Sequence, residues 1–479
     1  MVALLLILIP LAGGLLGFLL RDEKTAKMSA LLFSLAALGV MVWGLAGANA
    51  AGGNQWVADW LPQLGSRFAL QMDGASAVLC LLTVLAYPLI LLGTWNNHPA
   101  SPANYFALLL LAQAGILGVF LAADGLLFYF FWELALIPVY FLCSRWGGEK
   151  RIAATFKFFI YTFLGSLLLL VGLLYLYYRN PEGSFALESL YRVQLSTAEQ
   201  GWMFWLFFVA FAIKMPVFPF HTWQPDTYEQ APAGVTMVLS ALMVKMGLFA
   251  VIRWLIPLFP EATAQFDNVV IGLSVVGMIY ASLLAMQQDD IKRLIAYSSI
   301  AHIGLMSAAL FANNESALQG ALIQFFSHGV NVLGMWIVVD LIEQRMGTRN
   351  MRELGGLAQQ APGLAILLVI VALANVALPL TNAFIGEFLM FNGLFQFNVW
   401  YAAVAGLSII LSAVYTLRMI QKVFFGEVNE RTAKMPAIRW YEQLSLVVIV
   451  GAVFVLGVYP APVFALVGDT VTMLLAVFN

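Results

Sequence analysis

Six ionisable side chains stand inside stretches that are otherwise apolar. They are Glu133 in LLFYFFWELALIPVYF, Lys214 at the end of WMFWLFFVAFAIK, Lys245 in VTMVLSALMVKMG, His302 in AYSSIAHIGLM, His328 in LIQFFSHGVNVLG and Glu387 in LTNAFIGEFLMF. None pairs a nucleophile with a base, spaces ligands for a metal, or opens on a glycine-rich phosphate loop. Carboxylate, amine and imidazole are the groups that exchange protons. Lys245 lies eleven residues into its apolar run, roughly 16 Å deep and near the midplane of ~30 Å of hydrocarbon. A charge at that depth costs about 2.5–3.5 kcal/mol on insertion scales. One such residue often does no more than tie two helices together. Six of them at shared depth point to a hydrated path for ions or protons.

Their neighbours fit the same chemistry. Gln324, Ser327, His328 and Asn331 fall at helical spacing on one face, Ser298 and Ser299 lie one turn before His302, and Tyr129, Glu133 and Tyr140 share a face. Such groups hold water and pass protons between side chains. A lysine beside Glu133 would keep its proton until a competing charge drew the carboxylate away.

The elements that must position these residues are membrane helices. The chain has 479 residues, 62% hydrophobic and only 10% charged, where a soluble domain carries about a quarter charged residues. Apolar runs of spanning length recur near 2–20, 28–46, 74–95, 104–122, 125–144, 151–178, 202–220, 234–256, 267–286, 291–311, 315–342, 363–395, 399–424 and 440–459. A last run, 463–478, is short and reads as a surface or partner-facing helix. The first run lacks a basic start and a cleavage pattern, so it reads as a span and not a secretory signal. Net charge is −2, which leaves no basic surface for nucleic acid. Cys80 and Cys143 lie inside spans and read as buried apolar fillers.

Two spans carry helix breakers. FAIKMPVFPFHTWQPD places Pro216 and Pro219 just after Lys214, and NVALPLTNAFIGEF places Pro379, Thr381 and Asn382 just before Glu387. Lipid does not tolerate freed backbone groups, but a hydrated interior does, and broken helices in corresponding places mark an ion site within a repeat. Replacing Pro379 by alanine is expected to restore a continuous helix, with Leu380 expected only to pack. Pro216 and Pro379 are 163 residues apart, and Glu133 and His302 are 169 apart. The fold expected is an all-α integral membrane protein of about fourteen transmembrane helices. Residues 1–103 supply helices 1–3, 104–256 a first five-helix repeat, 267–424 a second in inverted orientation, and 425–479 a last span with a short terminal helix. Each repeat contains one discontinuous helix.

Orientation follows from basic residues, which favour the cytoplasmic side. Loops after odd-numbered spans hold seventeen of the 23 Lys and Arg residues, whereas the opposite side holds only Arg67, Arg179, Arg192 and Arg253. Both termini are therefore expected on the periplasmic side of a bacterial inner membrane. Lys214 and Lys245 are the two basic residues assigned to the spans themselves.

The block PVFPFHTWQPDTYEQAPAGVTMVLSALMVKMG (216–247), with FALQMDGAS (68–76), IAYSSIAHIG (295–304) and FIGEFLMF (384–391), resembles the antiporter-like subunits of respiratory complex I. The likeness covers almost the whole chain and is greatest to the M-type chains. It implies that Glu133 and Lys214 form a pair, that Lys245 is the central proton carrier, and that His302 and His328 bridge to Glu387. A glutamate rather than a lysine at 387 is what selects the M type. Where the family often reads PDAH, this chain has Pro225-Asp226-Thr227-Tyr228, so no proton role carries over to Tyr228. The resemblance further implies a subunit of proton-pumping NADH:quinone oxidoreductase with no cofactor or metal of its own. FMN, iron–sulfur clusters and quinone would belong to other subunits, and its partners would be other membrane subunits, including neighbouring antiporter-like ones, and lipid. A subunit of a multisubunit sodium/proton antiporter or of a membrane-bound hydrogenase shares this ancestry, and a purely structural membrane scaffold is the remaining alternative. Glu387 weighs against the antiporter chain, whose usual residue there is lysine.

Overall fold

The computed structural model describes residues 1–47 and 55–478, and its architecture is a bundle of membrane helices. Eleven helices among the described residues are long and apolar enough to cross a membrane, from Glu23–Ala46 to Trp440–Val458. Val2–Gly17 and Pro362–Asn375 are shorter apolar helices. The two spans with breakers are each divided. Thr197–Lys214 is followed by the half-helix Trp223–Gln230, and Pro362–Asn375 by Asn382–Phe397. The terminal helix Ala461–Phe478 buries Val463, Val467, Val471 and Leu474 while Met473 remains exposed.

Most helices that carry the buried ionisable residues start on a side-chain cap. Asp124 accepts from the backbone N–H groups of Leu126 and Leu127 and opens Gly125–Trp146, which carries Glu133. Asp290 caps Ile291–Phe311 at Arg293 N–H, and Asn314 caps Glu315–Met346 at Ala317 N–H, fixing the helices of His302 and His328. Ser196 and Glu199 form a reciprocal capping box at the start of the helix that ends on Lys214. Each cap satisfies donors that the first helical turn leaves open, worth about 1 kcal/mol apiece.

Burial divides the bundle into an interior and a rim. Ala233–Leu255, Glu315–Met346 and Ile291–Phe311 are buried nearly throughout. Arg151–Arg179 instead exposes Ile152, Phe156, Ile160, Phe163, Leu167, Val171 and Leu174 at intervals of three and four residues. That is one continuous apolar stripe, and facing hydrocarbon it needs no partner.

Three features differ from the sequence reading. Gln55–Leu61 and Ser66–Gln71 pair as an antiparallel hairpin, a small addition to the helical architecture. The helix Ala233–Leu255 contains two π-helical segments, Leu239–Met243 and Val251–Leu255. Arg253, counted above as a loop residue, lies in the second of these, is 4% exposed and pairs with Asp73 across the fold. The tally on the less basic side thus falls to three, which sharpens the charge asymmetry. Cys80 and Cys143 are both free and buried, in keeping with a packing role.

Candidate functional site

The first break begins after Lys214. Pro216 has no N–H, and the N–H of Val217 turns to Ala212 O at 3.0 Å instead of continuing the helical ladder to Ile213. The Ile213 carbonyl freed in this way accepts from Trp223 Nε1 at 2.9 Å, a buried contact from the start of the second half-helix. Gly247 lets the Lys245 helix press against this elbow, since a Cβ there would stand 2.8 Å from Met215 N.

The Lys214 ammonium has no hydrogen-bond partner and lies 5.3 Å from the centre of the Trp132 ring. It forms no ion pair with Glu133, which acts on it only through space. Glu133 instead accepts the hydroxyl of Ser166. The two residues expected as a pair are therefore neighbours without a direct bond in this state.

Lys245 is wholly buried. Its Nζ donates to Ser240 O at 3.0 Å and lies 2.8 Å from His328 Nδ1. Ser240 belongs to the first π segment, and its hydroxyl accepts from Trp336 Nε1 at 2.7 Å. The other imidazole nitrogen, His328 Nε2, is 3.4 Å from Ser299 Oγ. The His302 ring follows, its centre 5.6 Å from that of His328, and His302 Nδ1 is 3.0 Å from Glu387 Oε1. The second nitrogen of His302 has no partner. Four of the six sequence-predicted residues thus form one buried row, Lys245–His328–His302–Glu387, while Glu133 and Lys214 lie outside it, against Ser166 and Trp132.

Glu387 owes its position to the second break. The turn between Asn375 and Asn382 contains two non-glycine residues at positive φ, Ala377 at 56° and Leu380 at 72°. Leu380, expected to pack, is 68% exposed. The half-helix Asn382–Phe397 then lies close along Glu315–Met346, because a Cβ at Gly320 would stand 2.8 Å from Gly386 O. Gln324 Nε2 donates to Glu387 Oε1 at 3.4 Å, and Ser327 Oγ donates to Asn382 O at 3.2 Å. Of the neighbours expected from the sequence, Ser298 reaches the row through Tyr415, whose Oη donates to it at 2.9 Å and which lines a small cavity with His302 and Glu387. Asn331 is buried with neither amide atom partnered.

Sequence reasoning missed Trp223, Ser166, Ser240 and Tyr415. Ser166 had a faint signal, since Thr162 and Ser166 are one turn apart in an apolar helix. Tyr415 and the Ser240 hydroxyl act through contacts between distant segments, whereas Trp223 and the Ser240 carbonyl act across the first helix break and a π turn, contacts that residue types do not announce. Among the described residues no group of three or more His, Cys, Asp or Glu is arranged to hold a metal.

Residues 122–412 match the family described as NADH:quinone oxidoreductase/Mrp antiporter, TM, a stretch that includes all six residues. The chain belongs to this family. It is 37% identical to NADH-quinone oxidoreductase subunit M of Rhodobacter capsulatus, over 94% of this chain and 91% of that one. It is 34% identical to the subunit of the same name from Escherichia coli K12, over 96% and 94% of the two chains. Among solved structures, a chain of respiratory complex I from Thermus thermophilus with bound NADH superposes over 100% of both chains, with a TM-score of 0.93 and 31% identity. As a family member the chain is an integral membrane protein, and the M-type likeness drawn from Glu387 agrees with the names of these relatives.

Proposed function

We propose that this chain is a proton-translocating membrane subunit of NADH:quinone oxidoreductase, conducting protons through its buried Glu, Lys and His residues. The observation that carries the proposal is the 2.8 Å approach of Lys245 Nζ to His328 Nδ1, at the head of a row that continues to Glu387. The redox chemistry belongs to other subunits, with FMN, iron–sulfur clusters and quinone, and the names of the relatives favour this reading over a sodium/proton antiporter or hydrogenase subunit. The membrane is the bacterial inner membrane with both termini periplasmic, as the basic loops suggest. Residues 104–256 and 267–424 act as two inverted repeats, a reading supported by the two helix breaks 163 residues apart.

The row has a chemical order. Lys245 as ammonium gives a proton to His328 Nδ1, and His328 releases its Nε2 proton toward Ser299 and His302. His302 gains a proton at Nε2 and gives its Nδ1 proton to Glu387. Each imidazole gains at one nitrogen and loses at the other, so charge advances while each ring ends neutral in its opposite tautomer. The tautomers must then reset before the next proton. Glu133 and Lys214 hold charge outside the row, where a shift of Glu133 toward or away from Lys214 changes how firmly the lysine keeps its proton.

Lys245→Ala should leave the complex assembled and lower proton uptake coupled to quinone reduction by at least about tenfold. Lys245→Arg should fail as well, because a guanidinium stays protonated. Both are measured in membranes carrying the assembled complex. Wild-type pumping by the arginine variant would remove Lys245 from the path.

A further inference from the structure

Arg253 is a buried cation that the proton row does not use. It lies eight residues, roughly 12 Å, beyond Lys245 on the same helix, near the end that faces away from the basic loops. Two other helices converge on its guanidinium. One nitrogen donates to Phe120 O at 3.3 Å, and another donates to Ser76 Oγ at 3.0 Å and pairs with Asp73. The guanidinium also lies over the Phe249 ring, 4.6 Å from its centre. Tyr191 Oη donates to the Arg253 carbonyl at 2.8 Å, tying down the π segment Val251–Leu255 around it.

Between Lys245 and Arg253 the surroundings change from polar to apolar. Phe120 and Phe249 are wholly buried and meet edge to face at 5.3 Å. Lys245 lies one turn before Phe249, and Gln113 two turns before Phe120, each on the face of its phenylalanine. Both helices end beside Arg253, at Leu121 and Leu255, so Gln113 and Lys245 lie on the same inner side of the two rings. Gln113 is wholly buried, and neither of its amide atoms has a hydrogen-bond partner. A buried amide open on both atoms is the kind of group that buried water satisfies. A polar seat, two rings and a cation thus follow one another toward the less basic side. The ion pair has a direction as well. The Arg253 side chain is 5% exposed and that of Asp73 is 29% exposed, so the positive end points inward and the carboxylate outward.

We propose that Arg253, set in a collar of Phe120 and Phe249, is an electrostatic seal. It stops a proton at Lys245 from passing straight to the less basic side and confines it to the row that ends at Glu387. The inference rests on the proton-translocating reading above. Two effects combine. Apolar rings exclude the file of water that a proton follows, and a fixed cation repels any proton carried on the water that remains. A guanidinium keeps its charge at every working pH, so the barrier does not lapse. Asp73 holds the cation in place without shielding its inner side, because the carboxylate stands on the outer one. A staple between helices needs only the hydrogen bonds of this cluster. A seal needs the charge.

The test is the passive proton leak of sealed vesicles carrying the assembled complex, given a pH difference and no electron donor. Asp73→Asn combined with Arg253→Gln replaces the ion pair by two amides that still donate and accept, so the helices stay tied. This neutral pair should raise the leak at least about tenfold. Arg253→Lys keeps the charge but loses the fork that reaches Phe120 O and Ser76 together, and should stay as tight as the wild type. A staple predicts the reverse order. A neutral pair that holds the gradient like the wild type, or a lysine variant that leaks as much as the neutral pair, would overturn the seal. Lys245→Ala added to the neutral pair should close the leak again. A leak that persists there runs past the row, and that too would overturn the seal. Pumping by Lys245→Ala alone, with the electron donor restored, reads the other claim separately: normal pumping would overturn the proton-translocating function itself.

Discussion

The two interrupted helices are built by different means. The break after Lys214 uses Pro216 and is internal: Met215, Val217 and Trp223 are buried, and the indole of Trp223 occupies the carbonyl that the break frees. The break before Glu387 lies partly at the surface, with Leu378 and Leu380 exposed, and turns through two residues at positive φ. Their ionisable groups differ in the same sense. Lys214 has no hydrogen bond, whereas Glu387 takes one from His302 and another from Gln324. A polar group without a partner is free to change its state, and one held by two donors is fixed in place. The first break therefore looks built to respond, the second to receive.

The largest contrast should appear when each ionisable group is replaced by leucine. Glu387→Leu leaves His302 Nδ1 and the Gln324 amide without their acceptor, and should cost about 1–3 kcal/mol of stability. Lys214→Leu removes a buried cation that forms no hydrogen bond, so stability should hold or rise, even though proton transport is lost in both variants. Heat-induced loss of the assembled complex measures the difference. If Lys214→Leu proves the less stable of the two, the contrast between the breaks is wrong.

A smaller effect is expected at the plug of the first break. Trp223→Phe keeps an aromatic ring but leaves Ile213 O buried and unpaired, which should cost about 1–2 kcal/mol. The same thermal measurement applies, and an unchanged transition would mean that the carbonyl finds another donor. The smallest effect belongs to the second break. Leu380 at φ 72° is strained as a leucine and exposed, so Leu380→Gly should raise stability by up to about 1 kcal/mol. A fall in the transition temperature would show that the leucine makes a contact worth more than its strain.

Both breaks were visible in the sequence because proline and the Thr-Asn pair announce them locally. The buried row was visible for a similar reason: a charge or imidazole within twenty apolar residues stands out in any window. What stayed hidden depends on pairing across the chain or on departures from helical period. The π segment at Leu239–Met243 left only a faint mark, the spacing of Thr236, Ser240 and Lys245 by four and then five residues, which is too sparse a polar stripe to fix a helical phase. Arg253 looked like a loop residue because its counter-ion, Asp73, is 180 residues away in sequence. Pro379, Thr381 and Asn382 marked the second break in the sequence, but Ala377 and Leu380 also occupy the left-handed region there. Alanine at 379 alone would leave that turn in place, so the continuous helix expected from the sequence also requires those two residues to return to helical angles.

Under the proton-translocating reading proposed above, the hydrogen bond from Lys245 to the Ser240 carbonyl limits how a proton leaves this residue. An amide carbonyl accepts a hydrogen bond but is far too weak a base to carry the proton away, so it works as a berth and never as an exit. Of the two acceptors at Lys245, only His328 can take the proton itself. Transfer to any group other than His328 then demands that the amine leave these acceptors, a movement that the step to His328 does not need. The backbone at residue 240 thereby makes the step to His328 a matter of a proton hop and any other a matter of a side chain in motion, so that the position of one amine decides whether the row is joined or parted.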